Sequence, residues 1–184
     1  MRFKQAAPLL CAIFMSSAIS CLADVKMASL FTDNMVLQRG MPLPVWGSAA
    51  PSESVTVRFR GQVKTAQAGS DGKWMVKLDE TPASSEPSEM RIEGKNEIVL
   101  KNVLVGEVWI CGGQSNMHFT LANIEAKEAI ANSKIPQIRL YTVNRQSSNE
   151  LQSFVAPSDN GQFNRWLESD PGSSSDFSAI ALLS

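Results

Sequence analysis

The chain has 184 residues, 43% of them hydrophobic and 19% charged, which is enough apolar material for one ordinary domain or two small ones and too much for a disordered tail. Its 17 Lys and Arg are balanced by 18 Asp and Glu, so there is no surplus of positive charge to hold a nucleic-acid backbone, and nucleic acid is not an expected partner. The single histidine, His118, confines any imidazole-based mechanism to one position. No metal-ligand spacing, phosphate-cradling glycine loop or dinucleotide fingerprint occurs, so the expected cofactor is none and the expected metal is none.

The first stretch reads as an address. Arg2 and Lys4 give a positive start, Ala6 to Ile19 is an almost uncharged apolar run, and Cys21-Leu22-Ala23 ends in a small residue, so residues 1–23 are expected to be a signal peptide cleaved after Ala23. A lipoprotein reading would place lipid on Cys21, but Ala18-Ile19-Ser20 lacks the Leu-rich pattern such sites prefer. No later segment reaches the roughly 20 apolar residues of a spanning helix, so no transmembrane segment is expected and the mature chain is expected to be exported, periplasmic or secreted. Loss of Arg2 and Lys4 would leave 15 positive against 18 negative charges. Cys11 and Cys21 fall in the leader, which leaves Cys111 without an intramolecular disulfide partner.

Residues 24–105 are predicted to be an all-β module, with a β-sandwich as the leading architecture. Short β-type runs separated by turn residues occur at Leu43 to Trp46, Ser54 to Arg60, Gln62 to Ala68, Lys73 to Leu78, Met90 to Glu93 and Glu97 to Val103. In Val55-Thr56-Val57-Arg58-Phe59-Arg60 the odd positions are apolar and the even ones polar, as for a strand with one face in a core. Ser70-Asp71-Gly72 is the best hairpin signal, because Gly tolerates the positive φ of such a turn.

After Gly106 the pattern changes. Glu107 to Cys111 is predicted to be an apolar strand, Gly112-Gly113-Gln114-Ser115-Asn116 a turn, Met117 to Asn132 a helix ended before Pro136, and Ile138 to Val143 a second strand. That is the start of a βαβ unit, so residues 106–184 are assigned to the beginning of an α/β domain. Asn144 to Ser175 reads as a long surface loop.

The chemically interesting residue is Ser115. A serine on a tight turn between strand and helix exposes its hydroxyl, while backbone N–H groups at the helix start are placed to stabilise an oxyanion. The bland alternative is a helix cap after a Gly-Gly turn. Met117 stands where a Gly-x-Ser-x-Gly elbow has its second glycine, so this is not the ordinary α/β-hydrolase signature. Cys111, inside an apolar run, reads as a small buried hydrophobe, with a reactive thiol as the alternative.

The run Gly106-Glu107-Val108-Trp109-Ile110-Cys111-Gly112-Gly113-Gln114-Ser115-Asn116-Met117 resembles the nucleophile block of the sialate O-acetylesterases, a branch of the SGNH hydrolases. The resemblance extends to Leu30 through Arg39, Pro44-Val45-Trp46-Gly47, Asp71-Gly72-Lys73-Trp74, Pro136 through Leu140 and Phe177-Ser178-Ala179. It implies a β-sandwich module followed by an SGNH-type, flavodoxin-like α/β hydrolase domain. It implies a carbohydrate O-acetylesterase with Ser115 as nucleophile, Gly113, Gln114 and Asn116 as oxyanion and motif support, and an acetylated sugar, such as sialic acid or a polysaccharide ester, as substrate. The Asp and His block of that family has no counterpart here, and His118 stands where the family does not carry its base. The catalytic domain is therefore expected to be truncated, and the alternative function is an inactive fragment serving at most as a structural or glycan-binding β-module, with Trp46 or Trp74 as sugar contacts or, more simply, core residues.

Overall fold

Alternation along the predicted strands decides which faces meet. The computed structural model describes residues 24–144, 149–150 and 163–184; the expected leader lies outside the described residues, as do parts of the expected loop. The described residues form ten strands: β1 (Lys26–Met27), β2 (Val36–Gln38), β3 (Leu43–Ser48), β4 (Ser54–Phe59), β5 (Gln62–Gln67), β6 (Lys73–Leu78), β7 (Ser84–Glu93), β8 (Glu97–Gly106), β9 (Ile135–Tyr141) and β10 (Trp166–Ser169). Three one-turn helices accompany them: α1 (Lys127–Ala131), α2 (Pro171–Ser175) and α3 (Ala179–Leu183). The molecule is thus mostly β.

The first eight strands make two sheets, one ordered β1-β3-β6 and one ordered β2-β8-β7-β4-β5. Leu43 and Val45 of β3 with Trp74, Val76 and Leu78 of β6 face Val55, Val57 and Phe59 of β4, Met90 and Ile92 of β7 and Val103 and Val105 of β8 in one hydrophobic cluster. Each such side chain withdrawn from water contributes about 1.5–3 kcal/mol. The sheets are also bridged at an open edge, where Gln62 of β5 donates to the Asp79 carbonyl and accepts from the Asp79 amide, and Lys64 pairs with Asp79 at 2.9 Å.

The turn signals are real, but one of them joins different partners from those expected. The β4–β5 hairpin turns at Arg60-Gly61, both at positive φ (47° and 79°), the conformation of the two-residue turns that match strand twist. Gly72 also sits at positive φ, 74°. The strands on either side of it do not form the expected hairpin: β5 belongs to the five-stranded sheet and β6 pairs with β3. The reason is packing, since β6 alternates strictly between buried and exposed residues and its buried face is covered by the opposite sheet.

Beyond β8 four further expectations fail. Glu107 to Cys111 forms no strand, and in place of a helix from Met117 to Asn132 there is a single 3-10 turn, Ser115–His118, followed by turns and α1. Within that region Asn123 Oδ1 accepts from both the amide and the hydroxyl of Thr120, while the Thr120 hydroxyl accepts from the Asn123 amide. Such local bonds compete with a helical ladder, and Glu125 at φ 53° ends any continuation. The expected βαβ unit is not formed among the described residues, because β9 pairs antiparallel with β10. Strand β10 and helix α2 lie within the stretch read as loop; α2 is nucleated by Pro171 and by a capping box between Asp170 and Ser173.

The β9–β10 pair is not a detached appendage. Trp166 is in the main core, its ring 5.2 Å from Tyr141, and its indole N–H donates to the Leu30 carbonyl. Arg139, with a side chain only 3% exposed, donates to the carbonyls of Pro136, Asn34 and Asn102 and to Asn102 Oδ1, and lies 3.5 Å from Glu168. Burial lowers its pKa, with Glu168 opposing that shift. Asn34 and Asn102, joined at 2.7 Å, both take positive φ, so two strained backbone positions sit in one polar knot. Of the two readings of the tryptophans, the structure favours the core one: Trp74 is 3% exposed and Trp46, half-buried, packs edge-on against Phe31 at 4.7 Å.

Candidate active site

Strand β8 ends at Gly106, where the parallel partner β2 ends at Gln38. The next residue, Glu107, is held from both sides: Arg39 donates to Oε1 at 2.6 Å and Gln38 Nε2 donates to Oε2 at 2.9 Å. Gln38 then accepts from the Val108 amide at 2.8 Å, and the Arg39 amide donates to the Gly106 carbonyl at 2.9 Å. These contacts hold the Glu107 carboxyl below its ordinary pKa, the Gln38 hydrogen bond first and Arg39 second. Two runs separated by nearly 70 residues therefore meet at the start of the serine block.

From Trp109 to Gly113 the chain makes no hydrogen bond to the rest of the described residues and is exposed throughout, with Trp109 84% and Ile110 96% exposed. Cys111, expected to be buried, is exposed too, because no element among the described residues covers this stretch. Ser115 is exposed at the first position of the 3-10 turn, and neither its hydroxyl nor its amide has a hydrogen-bond partner among the described residues. It does not act as a helix cap: the capping position is Gln114, with no side-chain cap bond.

The residues expected to support Ser115 are all placed beside it by the chain itself. The Gln114 carbonyl accepts from the Met117 amide and the Asn116 carbonyl from the Phe119 amide, which closes the turn. Of the expected turn over residues 112–116, only the later part forms: Gly112 and Gly113 lie outside it without positive φ, and the chain bends at Gln114 into the 3-10 turn. A Cβ on Gly113 would lie 2.8 Å from Met117 Cγ, which makes this position intolerant of a side chain while Met117 keeps its place. His118 is exposed, and no hydrogen bond joins it to Ser115 among the described residues. No metal-binding cluster of His, Cys, Asp and Glu is found among the described residues. No helix among them is long and apolar enough to cross a membrane.

The far side of the block is anchored by the Phe177-Ser178-Ala179 segment. The Ala179 amide donates to the Phe119 carbonyl, the Leu121 amide to the Phe177 carbonyl and the Ala122 amide to the Ser175 carbonyl, with a β-bridge between Thr120 and Ser178. Leu121 is fully buried there. A concavity lined by Leu140, Phe163, Leu167 and Phe177 does not include Ser115, so the serine stands on an open surface. The anchoring roles of Gln38, Arg39 and the 175–179 segment escape a reading of the sequence, although the motifs containing them are visible in it.

No family model matches the chain. Among characterised proteins it is similar to the sialate O-acetylesterase of Homo sapiens, 34% identical over 147 residues, and to that of Pongo abelii, 33% identical over 147 residues; each match covers 71% of this chain and 28% of the relative. Among solved structures it is similar to a carbohydrate acetylesterase from Xanthomonas citri, with a TM-score of 0.78 and 31% identity over 86% of this chain and 35% of that one. The chain thus spans about a third or less of the length of these relatives. Over the part it shares with them, the chain belongs with the sialate O-acetylesterases.

Proposed function

We propose that this chain carries the nucleophile portion of an exported carbohydrate O-acetylesterase, with Ser115 as the nucleophile and O-acetylated sialic acid as the leading substrate. Residues 24–105 are read as a β-sandwich module and residues 106–184 as the beginning of an SGNH-type domain, after a leader of residues 1–23. The observation that carries the reading is the state of Ser115: an exposed residue whose hydroxyl and amide have no hydrogen-bond partner among the described residues, in a block that resembles the acetylesterase nucleophile block and is anchored at both ends. In the reaction, Ser115 Oγ attacks the acetyl carbonyl carbon and gives its proton to a base. The tetrahedral oxyanion is stabilised by N–H donors, the Ser115 amide among them. Collapse breaks the bond to the sugar oxygen, which leaves as the protonated alcohol, and water then releases acetate from the acyl-serine.

A second reading is favoured by one observation. His118 makes no bond to Ser115, and the chain has no other histidine, so the nucleophile stands without an imidazole base in contact with it. On that reading the chain by itself is catalytically silent and acts as a structural or glycan-binding β-module. Acetate release from O-acetylated sialic acid and from acetylated xylan separates the two, with Ser115→Ala alongside and free imidazole added as an external base. Release that depends on Ser115 and rises with imidazole is expected if Ser115 is the nucleophile. Equal background in both proteins across the imidazole series favours the silent module.

A further inference from the structure

We propose that Gln38 and Arg39 are positioning residues for Ser115, acting through Glu107 to fix the direction in which the serine segment leaves the two-sheet body; the functional meaning of this rests on the nucleophile reading above. Both carboxylate oxygens of Glu107 are taken, one by each side chain, and Gln38 also accepts from the next amide, Val108. One side chain therefore reads two consecutive residues, which fixes rotation as well as position. Past Val108 nothing else among the described residues holds the chain until the Gln114–Met117 bond closes the turn bearing Ser115. The clamp is thus the last fixed point on the upstream side, as the 175–179 segment is on the downstream side.

Its energetics set it apart from ordinary packing. Arg39 and Glu107 have side chains 53% and 47% exposed, and neither they nor Gln38 belongs to the hydrophobic cluster. An ion pair so exposed contributes little to global stability, because solvent screens it and two flexible side chains must be ordered. A contact weak in global stability and specific in geometry is suited to aiming a segment.

Cys111, exposed midway between Glu107 and Ser115, provides a native reporter. In the full chain with Cys11→Ser and Cys21→Ser, a nitroxide on Cys111 is compared in the parent, Gln38→Ala, Glu107→Gln and the conservative Arg39→Lys. The expected result is a rotational correlation time shortened roughly two-fold or more by Gln38→Ala and Glu107→Gln, and by less in Arg39→Lys. The melting midpoint should meanwhile stay within about 3 °C of the parent. Unchanged label motion in folded variants overturns the proposal, and so does faster motion that appears only together with a collapse of the midpoint. The readout does not depend on catalysis: a failed acetate assay with a positive label result removes the nucleophile reading and leaves the clamp, and the converse pair does the opposite.

Discussion

Val55-Thr56-Val57 and Val108-Trp109-Ile110 are both runs that look like strand, yet Val55 and Val57 are fully buried whereas Ile110 is 96% exposed. The difference is the availability of a partner. Strand β4 carries its own, since the Arg60-Gly61 turn folds β5 back in register from Phe59↔Gln62 to Ser54↔Gln67, and β7 covers its other edge. The 107–111 run has no such neighbour among the described residues: the Val108 amide goes to a Gln38 side chain, and the apolar residues after it face water. Apolar composition therefore specifies a demand for contact, and only local pairing guarantees that the demand is met.

The widest break in that comparison is expected from the buried side. Phe59 is 1% exposed at the centre of the cluster, so Phe59→Ala should destabilise the protein by about 3–5 kcal/mol in urea unfolding, through lost transfer free energy and a cavity that relaxes only in part. Truncating Ile110, by contrast, should leave the urea midpoint essentially where it was. Equal shifts for the two would mean that the 107–111 stretch is covered in solution.

A smaller effect, near 2–3 kcal/mol, is expected from Arg139→Met, which keeps the apolar stem and strands the carbonyls of Asn34, Asn102 and Pro136. Hydrogen exchange sharpens the comparison: amides of β9 and β10 should lose protection before those of β4 and β7. Simultaneous loss would make the hairpin an integral part of the two-sheet body, through Trp166.

The body is legible in the sequence wherever structure is local. Period-two alternation locates β4, and the β-type run Lys73 to Leu78 between turn residues has the same bounds in the structure. Strand β2 is not legible, because three residues paired in parallel with β8, 68 positions away, leave no local signature. The Gly72 turn is legible as a turn, but the sheet each neighbour joins is decided by packing. Residues 117–132 look helical by composition, yet only Leu121 there is buried, so no apolar face exists to stabilise a helix, and the Thr120–Asn123 bonds take over. At the site, the serine and its neighbours are legible as a block, while the anchors are not, since Gln38 and Arg39 show their meaning only once β2 lies beside β8.

The smallest expected effect in stability is the most specific to the exposed region. Gln38 and Arg39 stabilise Glu107 as the carboxylate and hold its folded pKa below the unfolded value. The contribution of the clamp is therefore fully present above the ordinary carboxylate range, near pH 4.3, and is lost as pH falls through the lower folded value. The global melting temperature should barely register this loss, because Arg39 and Glu107 are exposed. A nitroxide on Cys111 should register it as a gain in motion confined to that acid window. Glu107→Gln should abolish the acid step and move freely at every pH, since an amide neither titrates nor pairs with Arg39. A step centred well above the carboxylate range would overturn the assignment of this control to Glu107.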